Sequence, residues 1–515
     1  MSQSKPKLEF KLLVLLALVK LAIHVLVNVT ADFGLHRDEY LYLAEGDHLA
    51  WGFMEVPPMI PLIAWVTKGL FGISVVAVRL SPALIGSASV LLVGMMVKEM
   101  GGKRIAQLTA AIGIIVSSIF LGSNNLFQPV SFNQFWWLVI CYLSIKIINQ
   151  GDRKYWIFLG LGIGLAILTK YSVGFLVIAL LGAILISNHR QKLLDKRLLL
   201  AISLALLISL PNIHWQVKYD FPVVRHMTDL ASSQLVNMSL MDFLVPQVLF
   251  HFGCAFLWLS GLVYVFIHSP MKKYRYLGWT YILLFLLILS LDGKAYYLFG
   301  IYSTMYALGG MAWERWLGKR SYYAIAFIAI INIPSYFYAL PFLSPDSNVK
   351  VMSYIKDKFG LDAPLRWETG EYEVLPQDYA DMLGWQELPE KVSRIYHSLT
   401  AEEKARTMIY GGSYGHAGVL NLWKEKYDLP TTQSLSSSFV AWAQEDFTFD
   451  RQIFIDDVKQ TESSFFNTIT LMDSIEHPLA RDPGYIYYRT GPKTDVEKVW
   501  KEIVIQAKKE AGLIK

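Results

Sequence analysis

Four consecutive polar residues, His36-Arg37-Asp38-Glu39, offer acid–base chemistry near the start of this 515-residue chain. They open segment 32–80, which follows an apolar run. A carboxylate at the edge of apolar surface is a candidate general base, with a solvated acidic loop as the alternative interpretation. Tyr40–Trp51 and Pro61–Leu70 have helical apolar spacing, which predicts two helices along a membrane surface. Segment 32–80 holds six acids: Asp32, Asp38, Glu39, Glu45, Asp47 and Glu55.

Basic residues that could hold an anion are few outside the predicted cytoplasmic loops. Lys170 lies between two short apolar runs, and Lys294 lies in LDGKAYY at the end of another. Charges at such positions are costly and tend to be functional. A lipid phosphate would satisfy both. For Lys68 and Lys218 the preferred interpretation is that they extend to headgroups.

The elements that must position these residues are apolar helices. A membrane-spanning helix needs about 20 mostly apolar residues. The sequence predicts eleven such helices, with 156–187 read as two short ones broken at Lys170. They are 12–31, 81–97, 105–121, 129–148, 156–169, 171–187, 198–214, 246–267, 277–291, 296–312 and 322–340.

The loop charges predict the orientation. With the N-terminus inside, every second loop is basic, as the positive-inside rule requires. Eleven crossings then place the tail (341–515) outside. We therefore expect a multi-pass protein of the cytoplasmic membrane, with a transmembrane domain at 1–340 and an extracytoplasmic domain at 341–515.

Composition agrees with this division. The chain is 54% hydrophobic and 17% charged, with a mean hydropathy of +0.37. Residues 1–340 hold 27 basic and 15 acidic residues, a net of +12, and the tail holds 20 and 27, a net of −7, which together give the total of +5. The basic balance therefore records cytoplasmic loops and gives no argument for nucleic acid. Both cysteines, Cys141 and Cys254, lie in apolar runs, which argues against a disulfide framework.

The tail predicts a small α/β domain. Strands are expected at 406–412, 452–457, 467–473 and 484–490, and helices at 414–427 and 494–511. Several familiar catalytic signals are missing from the sequence: a Walker loop, a GxSxG elbow and a Cys/His cluster with metal spacing. GLGIGLA (160–166) lies within an apolar helix and is read as close helix packing. No cofactor is firmly implied, and a divalent metal has no support in the sequence.

Taken together, the residues resemble the GT-C membrane glycosyltransferases. The similarity is to the protein O-mannosyltransferase-like group (glycosyltransferase family 39) and its bacterial relatives, which include the lipid A aminoarabinose transferase. It covers nearly the whole chain and depends on the order of several segments. These are Asp-Glu after the first helix, E-x-P-P at 55–58, Arg-Leu at 79–80, GLAILTKYS (164–172), LPNIHWQ (210–216), GKAYYLFGIYSTMYALGG (293–310), PQDYADMLGWQEL (376–388) and GGSYGHAG (411–418).

This resemblance implies a polytopic α-helical GT-C fold of about eleven spans, with amphipathic surface helices in the first outward loop. It implies inverting sugar transfer from a polyprenyl phosphate to an envelope acceptor, in contact with membrane lipids. Asp38 would be the catalytic base, with Glu39 beside it. Residues implied to bind the donor phosphate are Arg79, Lys170, Arg225, His226, Lys294, Tyr296 and Tyr297, and those implied to bind acceptor or sugar are Arg37, Glu55, Gln128 and Asn133.

Two departures from the group concern the acceptor and the phosphate. Val56 stands where the aminoarabinose transferase has lysine, which weakens one phosphate contact or moves it to Arg225 or His226. FQPVSFNQFWW (127–137) has Asn133 and Gln134 where relatives often have an acid. Amides orient an acceptor but are not bases at neutral pH.

Two other functions remain open on the sequence. One is a transporter or flippase of a lipid-linked sugar, which eleven helices would suit although no internal repeat is visible. The other is an envelope assembly protein that acts through the aromatic residues of its tail.

Overall fold

The computed structural model describes residues 6–233 and 239–514. Apolar helices dominate up to residue 342, and the only strands of the described chain lie in the tail. The helices up to residue 233 are α1 (Phe10–Thr30), α2 (Arg37–Asp47), α3 (Met59–Phe71), α4 (Val75–Glu99), α5 (Arg104–Val116), α6 (Ser118–Ser123), α7 (Pro129–Asn149), α8 (Arg153–Ile167), α9 (Val173–Ile186), α10 (Lys196–Lys218) and α11 (Pro222–Ser233).

The remaining helices continue to the end of the described chain. Short 3-10 turns lie between several of them, including Ala295–Ile301 before α15. They are α12 (Leu240–Leu249), α13 (Ala255–Ile267), α14 (Arg275–Ser290), α15 (Tyr302–Leu317), α16 (Ser321–Ile331), α17 (Ile333–Ala339), α18 (Pro345–Phe359), α19 (Gln377–Ala380), α20 (Glu387–His397), α21 (Ala401–Ala405), α22 (Tyr414–Tyr427) and α23 (Val496–Glu510).

The backbone contacts divide the chain into two units. The first comprises Met1–Ala31, Arg79–Pro211 and Leu230–Phe342. The second comprises Asp32–Val78, Asn212–Asp229 and Leu343–Lys515. The second unit thus joins segment 32–78 to the tail, a grouping that the linear domains 1–340 and 341–515 do not contain. Those linear domains stay a prediction.

Close packing of glycines holds the helices of the first unit together. A Cβ on Gly309 of α15 would lie 2.1 Å from the Leu257 carbonyl oxygen of α13, so only hydrogen fits there. On α8, a Cβ on Gly160 would lie 2.5 Å from the Ala201 carbonyl oxygen of α10. Small residues that bring backbones together are typical of membrane helices. The interpretation of GLGIGLA as a packing segment is confirmed.

Within the described chain, four helices are long and apolar enough to span a membrane: α1, α4, α7 and α10. The count rises to six if two bent helix pairs each form one span. Every predicted run falls on a helix or on successive helices, and the chain is a multi-pass membrane protein. Eleven crossings stay a prediction, because helices such as α5, α8 and α9 are shorter than the hydrocarbon thickness requires.

A four-stranded sheet organises the tail. Its strands are β1 (Thr407–Gly411), β2 (Arg451–Asp456), β3 (Phe466–Asp473) and β4 (Tyr485–Pro492), in the order β1-β2-β4-β3. β1 pairs with β2 in parallel, and the other two pairings are antiparallel. The predicted strands and the helices at α22 and α23 are confirmed, with ends that differ by at most two residues.

The predicted boundaries of the first helix in segment 32–80 were wrong. The helix begins at Arg37 and ends at Asp47, whereas the apolar spacing indicated 40–51. Its start is set by His36, which is not a usual capping residue and therefore gave no signal in the sequence. Asp38 and Glu39 lie in the first helical turn instead of preceding it.

Candidate active site

The predicted site residues divide between the two units. Arg37, Asp38, Glu39, Glu55, Arg225 and His226 belong to the second unit, and Arg79, Gln128, Asn133, Lys170, Lys294, Tyr296 and Tyr297 belong to the first.

In the second unit, a capping box fixes the start of α2. The Asp38 N–H donates to His36 Nδ1 at 3.1 Å, and the His36 N–H donates to Glu39 Oε2 at 2.7 Å. Carboxylates in a first turn are also favoured by the helix dipole. The fully buried Glu39 therefore holds the backbone that carries Asp38.

Asp38 has a tyrosine partner from the tail. The Tyr414 hydroxyl donates to Asp38 Oδ1 at 2.8 Å, and the Asp38 side chain is 30% exposed. The guanidinium of Arg37 stacks on the Tyr414 ring at 4.6 Å from its centroid, and it lies 3.5 Å from an Asp482 oxygen. The tyrosine is thus clamped between a carboxylate and a cation. This arrangement orients an accessible carboxylate.

The glycines of GGSYGHAG allow this approach. A Cβ on Gly418 of α22 would lie 2.9 Å from Tyr40 Cβ and 3.1 Å from its carbonyl carbon, so α22 packs directly on the backbone of α2. The neighbouring Ser413 caps α22 by accepting from the His416 N–H at 3.4 Å. The segment is therefore explained by helix packing that brings Tyr414 to Asp38.

Substituting Gly418 by alanine should destabilise the second unit by about 1–3 kcal/mol, because the added methyl group overpacks against backbone atoms. Thermal unfolding of the purified protein measures the loss, and sugar transfer should fall with it. Gly69→Ala in α3 is the matched control, since a Cβ there meets nothing within 4 Å. Equal stability of the two variants would contradict the packing described.

His36 lies among three carboxylates. Its Nε2 is 3.7 Å from oxygens of Asp378 and Asp381, and its Nδ1 is 4.0 Å from Asp38. Burial disfavours the charged ring, but the nearby carboxylates of Asp378, Asp38 and Asp381 outweigh it and raise the pKa of His36 to about 9. The carboxylates thus favour the charged ring, whose Nδ1 proton would replace the bond that the neutral ring accepts from the Asp38 N–H.

We expect the second unit to lose stability as the pH rises from 6.5 to about 9. Because the folded pKa exceeds the unfolded value, the contribution of His36 is complete below pH 6.5 and disappears above 9, a change of about 3 kcal/mol. Thermal unfolding across this range measures it. His36→Asn keeps a capping side chain but does not titrate, so its profile should be flatter. Identical profiles would refute the assignment.

A second carboxylate pair lies nearby in the same unit. The hydroxyl of Ser438 is 2.8 Å from Glu45 Oε1 and 2.8 Å from Glu55 Oε2, and Ser437 also bonds to Glu55. A hydroxyl carries one proton and can serve only one of the two carboxylates at a time. Burial and the charge of Glu55 raise the pKa of Glu45 well above its usual range. The surroundings of Glu45 therefore favour its protonated form.

Arg225 already has partners in the second unit. Its guanidinium donates to the Glu510 carbonyl oxygen at 2.6 Å and pairs with Asp220. It thus closes the C-terminal end of α23, where cations are favoured. His226 is half-buried on the same helix, α11.

Lys68 pairs with Asp47 at 2.6 Å, an ion pair that the interpretation of Lys68 as a headgroup-facing residue did not include.

In the first unit, a lysine and tyrosines come together. Lys170 lies between α8 and α9, with its Nζ 5.5 Å from the centroid of the Tyr296 ring. The rings of Tyr296 and Tyr297 are 4.7 Å apart, in the 3-10 turn that begins directly after Lys294. We call Lys170, Lys294, Tyr296 and Tyr297 the cation–tyrosine group. Two ammonium groups with phenol hydroxyls are suited to bind a phosphate.

The amide residues of α7 lie close to the loop that carries Lys170. Asn133 Nδ2 donates to Ser172 Oγ at 3.3 Å, and the Asn133 oxygen is buried without a hydrogen-bond partner among the described residues. Gln128 is the residue at the start of α7. Arg79 is fully buried, and its Nη1 donates to Asn28 Oδ1 at 3.4 Å. Residues 6–233 and 239–514 contain no cluster of three His, Cys, Asp or Glu side chains able to hold a metal ion.

Three residues of the second unit were missed as site residues by sequence reasoning: Tyr414, Glu45 and Ser438. Glu45 follows Asp38 by seven positions, which places both on one face of a helix, so this signal was available. Tyr414 lies in GGSYGHAG, a segment of the resemblance, but no signal indicated the partner of Tyr414 or Ser438, because those partners lie 376 and 393 residues away.

The sequence matches one family model and several known proteins. Residues 55–215 match the family model "Dolichyl-phosphate-mannose-protein mannosyltransferase". The lipid A galacturonosyltransferase RgtD of Rhizobium johnstonii is 28% identical over 219 residues, which cover 40% of this chain and 43% of that protein. The lipopolysaccharide core galacturonosyltransferase RgtB of the same organism is 25% identical over 40% of this chain and 42% of its own. The chain thus matches less than half the length of these relatives.

Solved structures share the fold over almost the full length. ArnT from Cupriavidus metallidurans bound to undecaprenyl phosphate has a TM-score of 0.60 at 13% identity, covering 95% of this chain and 98% of that one. Its apo form has a TM-score of 0.58 at 14% identity, covering 94% and 99%. The resemblance predicted from the sequence is confirmed: residues 55–215 match the dolichyl-phosphate-mannose-protein mannosyltransferase model, and the chain shares the fold of ArnT.

Proposed function

We propose that this chain transfers a sugar from a polyprenyl-phosphate donor to a saccharide of an envelope lipid. The observation that carries the proposal is the accessible Asp38 carboxylate oriented by Tyr414. The relatives named as lipid A and lipopolysaccharide core galacturonosyltransferases support the acceptor class and point to an acidic sugar. The ArnT structure that holds undecaprenyl phosphate supports the donor class.

In the proposed reaction, an acceptor hydroxyl attacks the anomeric carbon of the donor. The new bond joins the acceptor oxygen to that carbon, and the bond from the carbon to the phosphate oxygen breaks. The acceptor proton passes to Asp38, which acts as general base. The polyprenyl phosphate leaves with the bond electrons, and Lys170 and Lys294 offset its charge. Attack opposite the leaving group inverts the anomeric centre.

The other residues are assigned around these two steps. Glu39 positions Asp38 through the capping box, and Arg37 positions Tyr414. Glu55 accepts hydrogen bonds from sugar hydroxyls, and the fully buried Glu45 holds Ser438 beside it. Tyr296, Tyr297 and Arg79 assist at the donor phosphate. Gln128 and Asn133 contact the acceptor, and Arg225 with His226 forms a secondary contact for the lipid phosphate.

The transfer assay tests the proposal directly. Purified protein is incubated with undecaprenyl phosphate that carries galacturonate, aminoarabinose or mannose, and with lipid A or core oligosaccharide as acceptor. Mass spectrometry of the acceptor identifies the sugar gained, and we expect galacturonate. Movement of the donor across sealed vesicles without any modified acceptor would instead establish a flippase.

The orientation is proposed on the loop charges, with the N-terminus in the cytoplasm, eleven crossings and residues 341–515 outside. Both native cysteines are buried, so single cysteines introduced at exposed positions report sidedness. Thr461→Cys should react with a membrane-impermeant maleimide in intact spheroplasts, and Gln191→Cys should react only after lysis. The opposite pattern would invert the proposed topology.

A further inference from the structure

A cavity of about 320 Å³ lies in the tail, remote in sequence from Asp38. Residues of all four strands, together with residues of α23, supply its walls. Its size falls within the usual range of small-molecule sites, which combine apolar and aromatic walls with a few polar groups. The residues that carry the argument are Tyr410, Phe454, Arg489 and Trp500 in its walls and Glu462 and Ser464 in the segment before β3.

Aromatic rings form one side of this cavity. Tyr410 and Phe454, from adjacent parallel strands, are stacked with centroids 5.6 Å apart and planes inclined by 9°. Trp500 of α23 meets Tyr410 edge to face at 5.7 Å. Flat apolar faces next to polar side chains suit the alternating CH faces and hydroxyls of a sugar ring, because each kind of surface finds its complement.

Arg489 of β4 is the buried charged group among the residues that line the cavity, only 7% exposed. Its guanidinium lies 3.6 Å above the Phe454 ring centroid and donates to Gln452 Oε1 at 3.0 Å and Gln460 Oε1 at 3.1 Å. Its Nε is buried without a hydrogen-bond partner among the described residues. Burial lowers the pKa of Arg489 to about 10.

Asp456 is the acid whose negative charge acts on Arg489, and its Oδ2 accepts a hydrogen bond from the Gln460 amide at 2.5 Å. Glu462 lines the cavity but is exposed. The guanidinium donates its described hydrogen bonds to the neutral amide oxygens of Gln452 and Gln460. A buried guanidinium with an unused N–H is a group that a carboxylate or phosphate would satisfy by a charge-assisted bond.

We propose that this cavity binds a sugar residue bearing an anionic group, with the ring on the aromatic wall and the anion on Arg489. The choice of a saccharide over other anions rests on the proposed function, since an enzyme that modifies envelope glycans meets acidic sugars in its acceptor or product. The cavity would then recognise the glycan apart from the group that activates the acceptor hydroxyl.

Ligand-observed NMR on the full-length protein in detergent tests this proposal. Three probes are compared: galacturonic acid, galactose 6-phosphate and galactose. An acidic probe should bind at least about tenfold more tightly than galactose, the factor expected for one charge-assisted hydrogen bond. The first two probes distinguish a carboxylate source from a phosphate source. Equal binding of galactose, or no binding of either acidic probe, would overturn the proposal.

Variants at the exposed rim assign the binding to this cavity without disturbing the core. Ser464→Trp should fill the mouth and abolish binding, whereas Ser464→Ala should keep it. Glu462→Gln removes a like charge and should tighten binding of the acidic probe by roughly two- to fivefold, a gain that misfolding does not produce. Binding that survives Ser464→Trp would refute the site.

A variant of the base separates this inference from the proposed function. Asp38→Asn should lose transfer and keep the NMR signal, because Asp38 is not part of the cavity. If wild-type protein transfers sugar but binds no acidic probe, the cavity proposal alone fails. If it binds the probe and transfers nothing, the proposed function alone fails.

Discussion

Replacing Asp38 by asparagine is expected to lower kcat for sugar transfer by about 10²–10⁴-fold. Asparagine keeps the shape of the side chain, and its oxygen can still accept the hydrogen bond that Tyr414 donates to Asp38 at 2.8 Å. It cannot take up the acceptor proton. The fold should be unaffected, because the capping box of α2 depends on His36 and Glu39. Single-turnover transfer with saturating donor measures the effect.

Two controls isolate the role of Asp38 as a base. Asp47→Asn changes another acid of α2, one paired with Lys68 at the protein surface, and should leave transfer unchanged. Tyr414→Phe keeps the carboxylate but removes the hydrogen bond that orients it, so we expect a loss of about tenfold. Wild-type transfer by Asp38→Asn would remove Asp38 from the chemistry.

The second large effect is expected at Lys170. Lys170→Met preserves the length of the side chain but removes the charge that offsets the leaving phosphate, and we expect a loss of about 10²–10³-fold. The loss should fall mainly on kcat, because the phosphate gains charge as the bond breaks. Steady-state transfer at varied donor concentration separates kcat from KM.

Lys218→Met is the matched control for Lys170. Lys218 is exposed and also lies over a tyrosine ring, with its Nζ 4.8 Å from the centroid of Tyr219. It shares the cation–aromatic contact of Lys170 but not its place between two apolar helices. We expect wild-type transfer from this variant. If the two lysine variants behave alike, the cation–tyrosine group does not act on the donor.

The tail could be predicted well because its signals are local. α22 lies between Ser413, whose side chain caps it, and Asp428, which adopts a left-handed backbone at φ 49°. The strands are short runs rich in β-branched and aromatic residues, as in YIYYRTGP of β4. Each of these signals lies within a few residues of the helix or strand that it defines, so local sequence patterns are enough to detect it.

The site could be predicted only in part, because its geometry depends on distant residues. Asp38 and Lys170 were identified by residue type and by their places beside apolar runs. The partners Tyr414 and Ser438 were not, since nothing in the tail sequence indicates which segment it packs against. Glu39 was paired with Asp38 as a second catalytic acid, although the structure gives it a capping bond. A carboxylate that holds a backbone N–H and one that takes a substrate proton have the same residue type.

The union of segment 32–78 with the tail has a consequence for the timing of biogenesis. Asp38 and Tyr414 are separated by 376 residues, which a ribosome adds in about 20–75 s. Throughout that interval, Glu39, Glu45 and the apolar helix faces of segment 32–78 are exposed, because the tail that later buries them has not been synthesised. A quality-control protease would therefore have access to α2 before the tail that buries it has been synthesised. Strains with slowed elongation should accumulate fragments cleaved within residues 32–78.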